Sequence, residues 1–189
     1  AFGEFPFGDI KDIIPDKPKK ILGRKPNIKL LSSFGKDGYY TLPKEKIKAA
    51  TKISVTGIYD SQFIFMRELV ELFDALGVEY EIFYSPFSEK KTEAIYIPDK
   101  DAFISVYADA DRIIDTSVYL NKNVISQNEK TLKYCEASEK DLLSLARDEF
   151  GYASENHFLL EAIYTAEMRF DSFDEIAEKI QKEFKDILD

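Results

Sequence analysis

The chain has 189 residues, of which 44% are hydrophobic and 32% charged, and a formal net charge of -9. This is the composition of a soluble globular domain with enough material for a sizeable core, and it argues against disorder over most of the length. No apolar run nears the roughly 20 residues of a membrane helix, and the acidic balance disfavours general binding to nucleic acid.

Residues 1–27 read as an irregular N-terminal arm, with Phe2, Phe5 and Phe7 among glycines and prolines and a basic patch of Lys17, Lys19, Lys20, Arg24 and Lys25. Residues 28–189 read as a single domain. Over 28–42 the pattern predicts two short strands joined by an Asp37-Gly38 turn, and 44–50 a helical turn. The centre of the chain is Lys52-Ile-Ser-Val-Thr-Gly57 followed by Ile-Tyr-Asp60-Ser-Gln62. Its β-branched run predicts a buried strand, Gly57 a tight turn, and Asp60 or Ser61 the cap of a helix reaching Leu76. Phe63, Met66, Val70 and Phe73 give that helix an apolar stripe, widened by Ile64, Phe65, Leu69 and Leu72, and Gly77 a C-cap.

Residues 78–84 predict a further strand, so strand, helix and strand make a right-handed βαβ unit and a parallel sheet the expectation. Residues 85–92 read as a loop because of Pro86 and their polarity, and 94–97 with 102–106 as a hairpin. Arg112-Ile-Ile-Asp115 reads as a short strand or turn, and 123–126 as a last strand. Beyond Gln127 three helices are expected: one opening at 138–141 and interrupted by Gly151, one over 154–168, and one opened by the capping box Ser172-Phe-Asp-Glu175.

Chemistry is sought first at the central turn. A phosphate-binding G-x-x-x-x-G-K-[ST] loop uses glycine amides, a lysine against the β and γ phosphates and a hydroxyl for magnesium. Counting from Gly57, Gln62 stands at the second glycine, Phe63 at the lysine and Ile64 at the hydroxyl. Gly57, Asp60, Ser61 and Gln62 are therefore candidates only for a vestigial phosphate turn. Asp115 is the best single metal candidate, because a carboxylate at a strand's C-terminal end can reach a ligand crevice. Asp99 with Asp101 and Asp109 with Asp111 could hold magnesium, but turn chemistry accounts for them equally well. His157 reads as a partly buried structural histidine, and Cys135, the single cysteine, as a packing residue. One cysteine excludes an intrachain disulfide, and a reducing cytoplasm is the expected compartment. The tyrosine-rich sheet segments read as packing rather than base stacking.

Leu31-Ser-Ser-Phe-Gly-Lys-Asp-Gly38-Tyr, Lys52-Ile-Ser-Val-Thr-Gly57, Val78-Glu-Tyr-Glu-Ile-Phe-Tyr-Ser-Pro86, Ala94-Ile-Tyr-Ile-Pro98, Glu161-Ala-Ile-Tyr164 and Met168-Arg-Phe170 follow one another in order. Together they resemble the half-repeats of an uncharacterised family of bacterial P-loop ATPase-like proteins that carry two such domains in tandem. The resemblance implies a P-loop NTPase-like α/β fold, a mainly parallel sheet with flanking helices, added β-hairpins and a helical tail. Because Gln62, Phe63 and Ile64 depart from the motif, it suggests a degenerate half acting beside a tandem or partner P-loop domain, or as a homo-oligomer. No cofactor is then expected. The alternative is a nucleotide- or phosphate-binding enzyme with a non-standard site over 52–66, using ATP and magnesium.

Overall fold

The computed structural model describes residues 7–15, 26–42, 46–107, 110–168 and 171–188. The basic patch, Asp109 and residues 43–45 lie outside them. By contacts the chain divides into two compact units, Ala1–Arg147 and Asp148–Asp189.

The first unit is built on a six-stranded sheet. Its strands are β1 (Asn27–Leu30), β4 (Thr51–Thr56), β5 (Glu81–Ser85), β6 (Ser88–Ile97), β7 (Ala102–Ser105) and β8 (Arg112–Asp115), in the order β1-β5-β6-β7-β4-β8. β2 (Ser32–Gly35) and β3 (Gly38–Thr41) form a separate antiparallel hairpin. The Asp37-Gly38 turn is where the sequence places it, with Gly38 at φ 89. The run before it, however, splits: residues from Asn27 to Leu30 pair in parallel with β5 and only Ser32 to Gly35 join the hairpin.

β4 is an interior strand, parallel to both neighbours, β7 and β8. Ile53, Ser54 and Val55 are all buried, as a strand covered on both faces requires. Helix α1 (Ser61–Leu76) follows, and Gly77 closes it in the left-handed region at φ 71, its amide reaching the Asp74 and Phe73 carbonyls. The chain then enters β5, which runs in the direction of β4 but three places away, beyond β7 and β6. The expected strand-helix-strand crossover therefore joins strands that are not neighbours. The gap is filled later by the β6–β7 hairpin, whose β6 is antiparallel to both β5 and β7.

β6 also overturns the loop expected over 85–92. Only Pro86 and Phe87 separate β5 from β6, and a connection that short returns antiparallel. Pairing with β5 supplies partners for the backbone of the polar run from Ser88 to Thr92, so polarity alone did not exclude a strand. Register shifts at Phe83/Tyr84 and Tyr84/Ser85 absorb the irregularity.

Alternation along the strands divides the core. Ile53, Val55, Ile82, Ile95 and Ile104 face α1, where Phe65, Met66, Leu69 and Phe73 are at most 1% exposed. The buried stripe of α1 is thus centred on Phe65, Met66, Leu69 and Phe73, and Phe63 and Val70 lie at its margin. Ile10 and Ile13, from a 3-10 turn over Phe7–Ile13 inside the expected irregular arm, complete this layer. Leu31, Ala94 and Phe103 pack on the other face, with Ile47 and Ala49 from an irregular stretch where a helical turn was expected.

After β8, helix α2 runs unbroken over Lys122–Glu167, 46 residues. It replaces the expected strand at 123–126, because Asn121 Oδ1 accepts from the amides of Asn123 (3.1 Å) and Val124 (3.3 Å) and so caps a helix there. It also merges two expected helices: Gly151 lies inside it, a cost of roughly 1 kcal/mol that the long run of helix formers on either side outweighs. In the second unit, α3 (Asp171–Leu188) is the last helix, and it begins one residue before Ser172 of the expected capping box. Cys135 and His157, expected to pack, are both exposed. Among the described residues no helix is long and apolar enough to cross a membrane.

Candidate functional site

The turn after β4 holds all four of the phosphate-turn candidates. Tyr59 (φ 53) and Asp60 (φ 62) are successive left-handed residues without being glycine, a conformation L side chains adopt at some cost. Gly57 is needed for space. A Cβ there would lie 2.2 Å from both Ser61 Oγ and Thr116 Oγ1 and 3.0 Å from Gln62 Oε1.

These side chains form a closed group. Thr116, which follows β8 and is fully buried, donates its hydroxyl proton to the Thr56 carbonyl at 2.8 Å. Its proton being used, the 2.8 Å contact with Ser61 makes Ser61 the donor and Thr116 Oγ1 the acceptor. Helix-end amides are also engaged: Ser61 N with the Ile58 carbonyl (3.1 Å), and Phe63 N and Ile64 N with the Asp60 carbonyl (3.0 and 3.2 Å). In a phosphate cradle such amides face the ligand.

Asp60 occupies the cap position, yet its side chain makes no capping hydrogen bond. Its carboxylate instead pairs with Lys91 Nζ at 2.8 Å. Lys91 comes from β6, lies 5.2 Å above the Phe63 ring and 3.9 Å from Glu139. A lysine does reach the turn, from a segment whose polarity predicts a loop, but two carboxylates neutralise it. No spacing rule announces this residue, since β6 meets the turn only through the sheet.

Asp115 sits in register with Thr56, at the same end of the sheet. Its Oδ1 accepts from Ser117 N at 2.9 Å and caps a 3-10 turn over Thr116–Tyr119. The structure thus brings Asp115 beside the turn without a bond between its carboxylate and Ser61 or Gln62. Asp101 accepts from Ala50 N (3.0 Å) and the Tyr96 hydroxyl (2.9 Å), and Asp111 from Lys52 N (3.0 Å), so both hold turns together. No group of three or more His, Cys, Asp or Glu able to hold a metal exists among the described residues. A mostly apolar hollow of about 290 Å³ opens beside the turn, between Tyr59 and Leu120, Val124, Ile125 and Leu132.

A second polar group, which no motif in the sequence announces, lies across the sheet. Glu93 on β6 is fully buried. Ser32 Oγ on β2 donates to its Oε2 at 2.5 Å, the Tyr39 hydroxyl on β3 donates to Oε1, and the Tyr107 hydroxyl reaches Oε1 at 3.2 Å. Tyr39 and Tyr107 are 2.9 Å apart at their hydroxyls, and Phe87 packs against Phe34 and Tyr39 with ring centres at 5.0 and 6.0 Å. Burial, then the Glu93 carboxylate, pushes the Tyr39 phenol above its ordinary range. Burial, then the bond to Tyr39, does the same for Tyr107. A carboxylate served by three O–H donors, all consumed in binding it, is a clamp that ties the β2–β3 hairpin to the sheet. Within this group no hydroxyl is activated as a nucleophile. The only sequence signal would have been a glutamate in an otherwise apolar strand, Glu93-Ala-Ile-Tyr-Ile97.

Compared with known proteins, the chain finds no match among protein-family models, curated proteins or solved structures.

Proposed function

We propose that this chain is a non-catalytic module on the frame of a P-loop domain, which acts by association and takes no nucleotide at its central turn. The observation that carries the reading is the crowding at Gly57, where Ser61, Thr116 and Gln62 stand in the space that glycine opens. The charge balance agrees, because Lys91, which reaches the turn, is held between Asp60 and Glu139. Gln62 Oε1 is buried without a hydrogen-bond partner. That atom is an acceptor, and the fully ionised oxygens of a phosphate bring it no donor. Calorimetric titration with magnesium and ATP tests the reading: no heat of binding is the expected result, and micromolar affinity overturns it.

A second reading, a non-standard ligand site over 52–66, is favoured by one observation, the register of Thr56 with Asp115 at the end of the strand that leads into the turn. It requires that a nucleotide raise the melting temperature and that Ser61→Ala or Asp115→Asn abolish the rise.

A further inference from the structure

Resting on that association reading, we propose that the 148–167 stretch of α2 is the docking surface for a basic amphipathic helix of a partner protein. Leu159, Leu160, Ile163 and Tyr164 of this stretch are 52–66% exposed. At about 100° per residue they fall within an arc of roughly 140°, a continuous apolar row along one side of the helix. Such a row takes the apolar face of another helix, whose anchors recur three and four residues apart.

Charge selects that helix. Glu149 and Glu167 stand on the line of the row, before and after it, while Glu155 lies about 40° outside one margin and Glu161 about 60° outside the other. Carboxylates thus fence the row on every side, and the stretch, which also carries Asp148, holds no lysine or arginine. No ion pair joins Glu149, Glu155, Glu161 or Glu167 to another described residue. α3 does not supply the missing cations, because it carries six carboxylates against three lysines. A second copy of the chain would bring the same acidic row and the same acidic α3, so like charges would meet. Nucleic acid and anionic lipid surfaces are turned away by the same field. A helix with apolar anchors flanked by lysine or arginine satisfies both features: its anchors cover Leu160 and Ile163, and its cations meet Glu155 and Glu161 at the rim.

The test is fluorescence anisotropy, with the full chain titrated into a labelled synthetic helical peptide of about 20 residues, leucine three and four apart and lysine and arginine between. Micromolar binding is expected, weakening about tenfold or more as salt rises from about 0.1 to 0.5 M. A scrambled peptide of the same composition keeps the charge, loses the stripe and should bind about tenfold more weakly. Ile163→Ser, and separately Glu155→Lys with Glu161→Lys, should each weaken binding by about the same factor. No binding by the parent chain overturns the inference, as do equal binding of the scrambled peptide and binding that both variants leave intact. Light scattering should give the parent chain a single mass; a dimer that Ile163→Ser dissociates assigns the row to a second copy and overturns the inference. Peptide binding that appears only in Ile180→Asp assigns it to the chain's own α3 and does the same. A variant whose helical circular dichroism is lost is replaced by Ile163→Ala or by Glu155→Gln with Glu161→Gln, for which a smaller weakening is expected. A chain that binds neither peptide nor ATP overturns this inference alone, whereas binding of magnesium-ATP overturns the reading of the turn and leaves the docking surface standing.

Discussion

α1 and α3 carry the same kind of pattern and meet opposite ends. Both place apolar residues three and four apart, yet Phe65, Met66, Leu69 and Phe73 of α1 are at most 1% exposed while Phe173, Ile176, Ile180 and Phe184 of α3 are 49–64% exposed. The pattern states that a helix needs a cover and says nothing of where the cover comes from. For α1 it is the chain's own sheet, reached because β4 and β5 bracket the helix in sequence. α3 has no strands on either side of it in sequence, and its apolar residues stand exposed among the described residues.

The largest way to break the contrast is to cut the same volume from both helices. Phe73→Ala should lower unfolding stability by about 3–5 kcal/mol, since it leaves a cavity against the sheet. Phe184→Ala, at an exposed position of α3, should change it by less than about 0.5 kcal/mol. Equal losses in urea unfolding would mean that α3 is buried in the isolated chain. Next in size is Glu93→Leu, which strands the hydroxyls of Ser32, Tyr39 and Tyr107 and should cost roughly 1–3 kcal/mol. Amide exchange should quicken in β2 and β3 and stay unchanged in α3; a loss shared by both units would remove the clamp from the account.

Alkali sharpens the same distinction. Tyr39, Tyr80 and Tyr107 have phenols raised by burial in the folded state. Unfolding lets them ionise near their ordinary value of about 10, so their stabilising share is complete below that pH and is lost as pH climbs through the raised folded values. The unfolding midpoint should fall above roughly pH 10 and fall less steeply in Tyr107→Phe. A flat profile would contradict the burial of these phenols. The smallest effect belongs to Asp60→Ala, which removes a half-exposed pair with Lys91 and should cost under about 1 kcal/mol, because solvent screens it.

Parts of this were legible from local chemistry. Gly77 after an apolar-periodic run marks a left-handed cap, Asp37-Gly38 a hairpin turn, and Pro98 to Asp101 the turn between β6 and β7; each of these is decided within a few residues. The strand at Ser88 was not legible, since polar residues pair their backbone only when a neighbour lies alongside. Nor was Asn121 as a cap before a 46-residue helix, because Val124 and Ile125 also suit a strand. At the central turn, the missing lysine and hydroxyl could be read from Phe63 and Ile64 directly. That Thr116 closes the space in front of Gly57, and that Lys91 arrives to meet Asp60, could not.

The sequence by itself determined the α/β class, the strand-turn-helix frame around Gly57 and the absence of the phosphate-binding side chains, because residue type and near spacing act through short-range sterics and hydrogen bonds. Only the tertiary structure decided the strand order, the burial of Glu93 under Ser32, Tyr39 and Tyr107, and the filling of the turn by Thr116. The longest of those contacts join residues some 60 positions apart, 61 between Ser32 and Glu93 and 60 between Thr56 and Thr116. Pairings at that range are selected by the packing of the whole sheet, which no local pattern encodes.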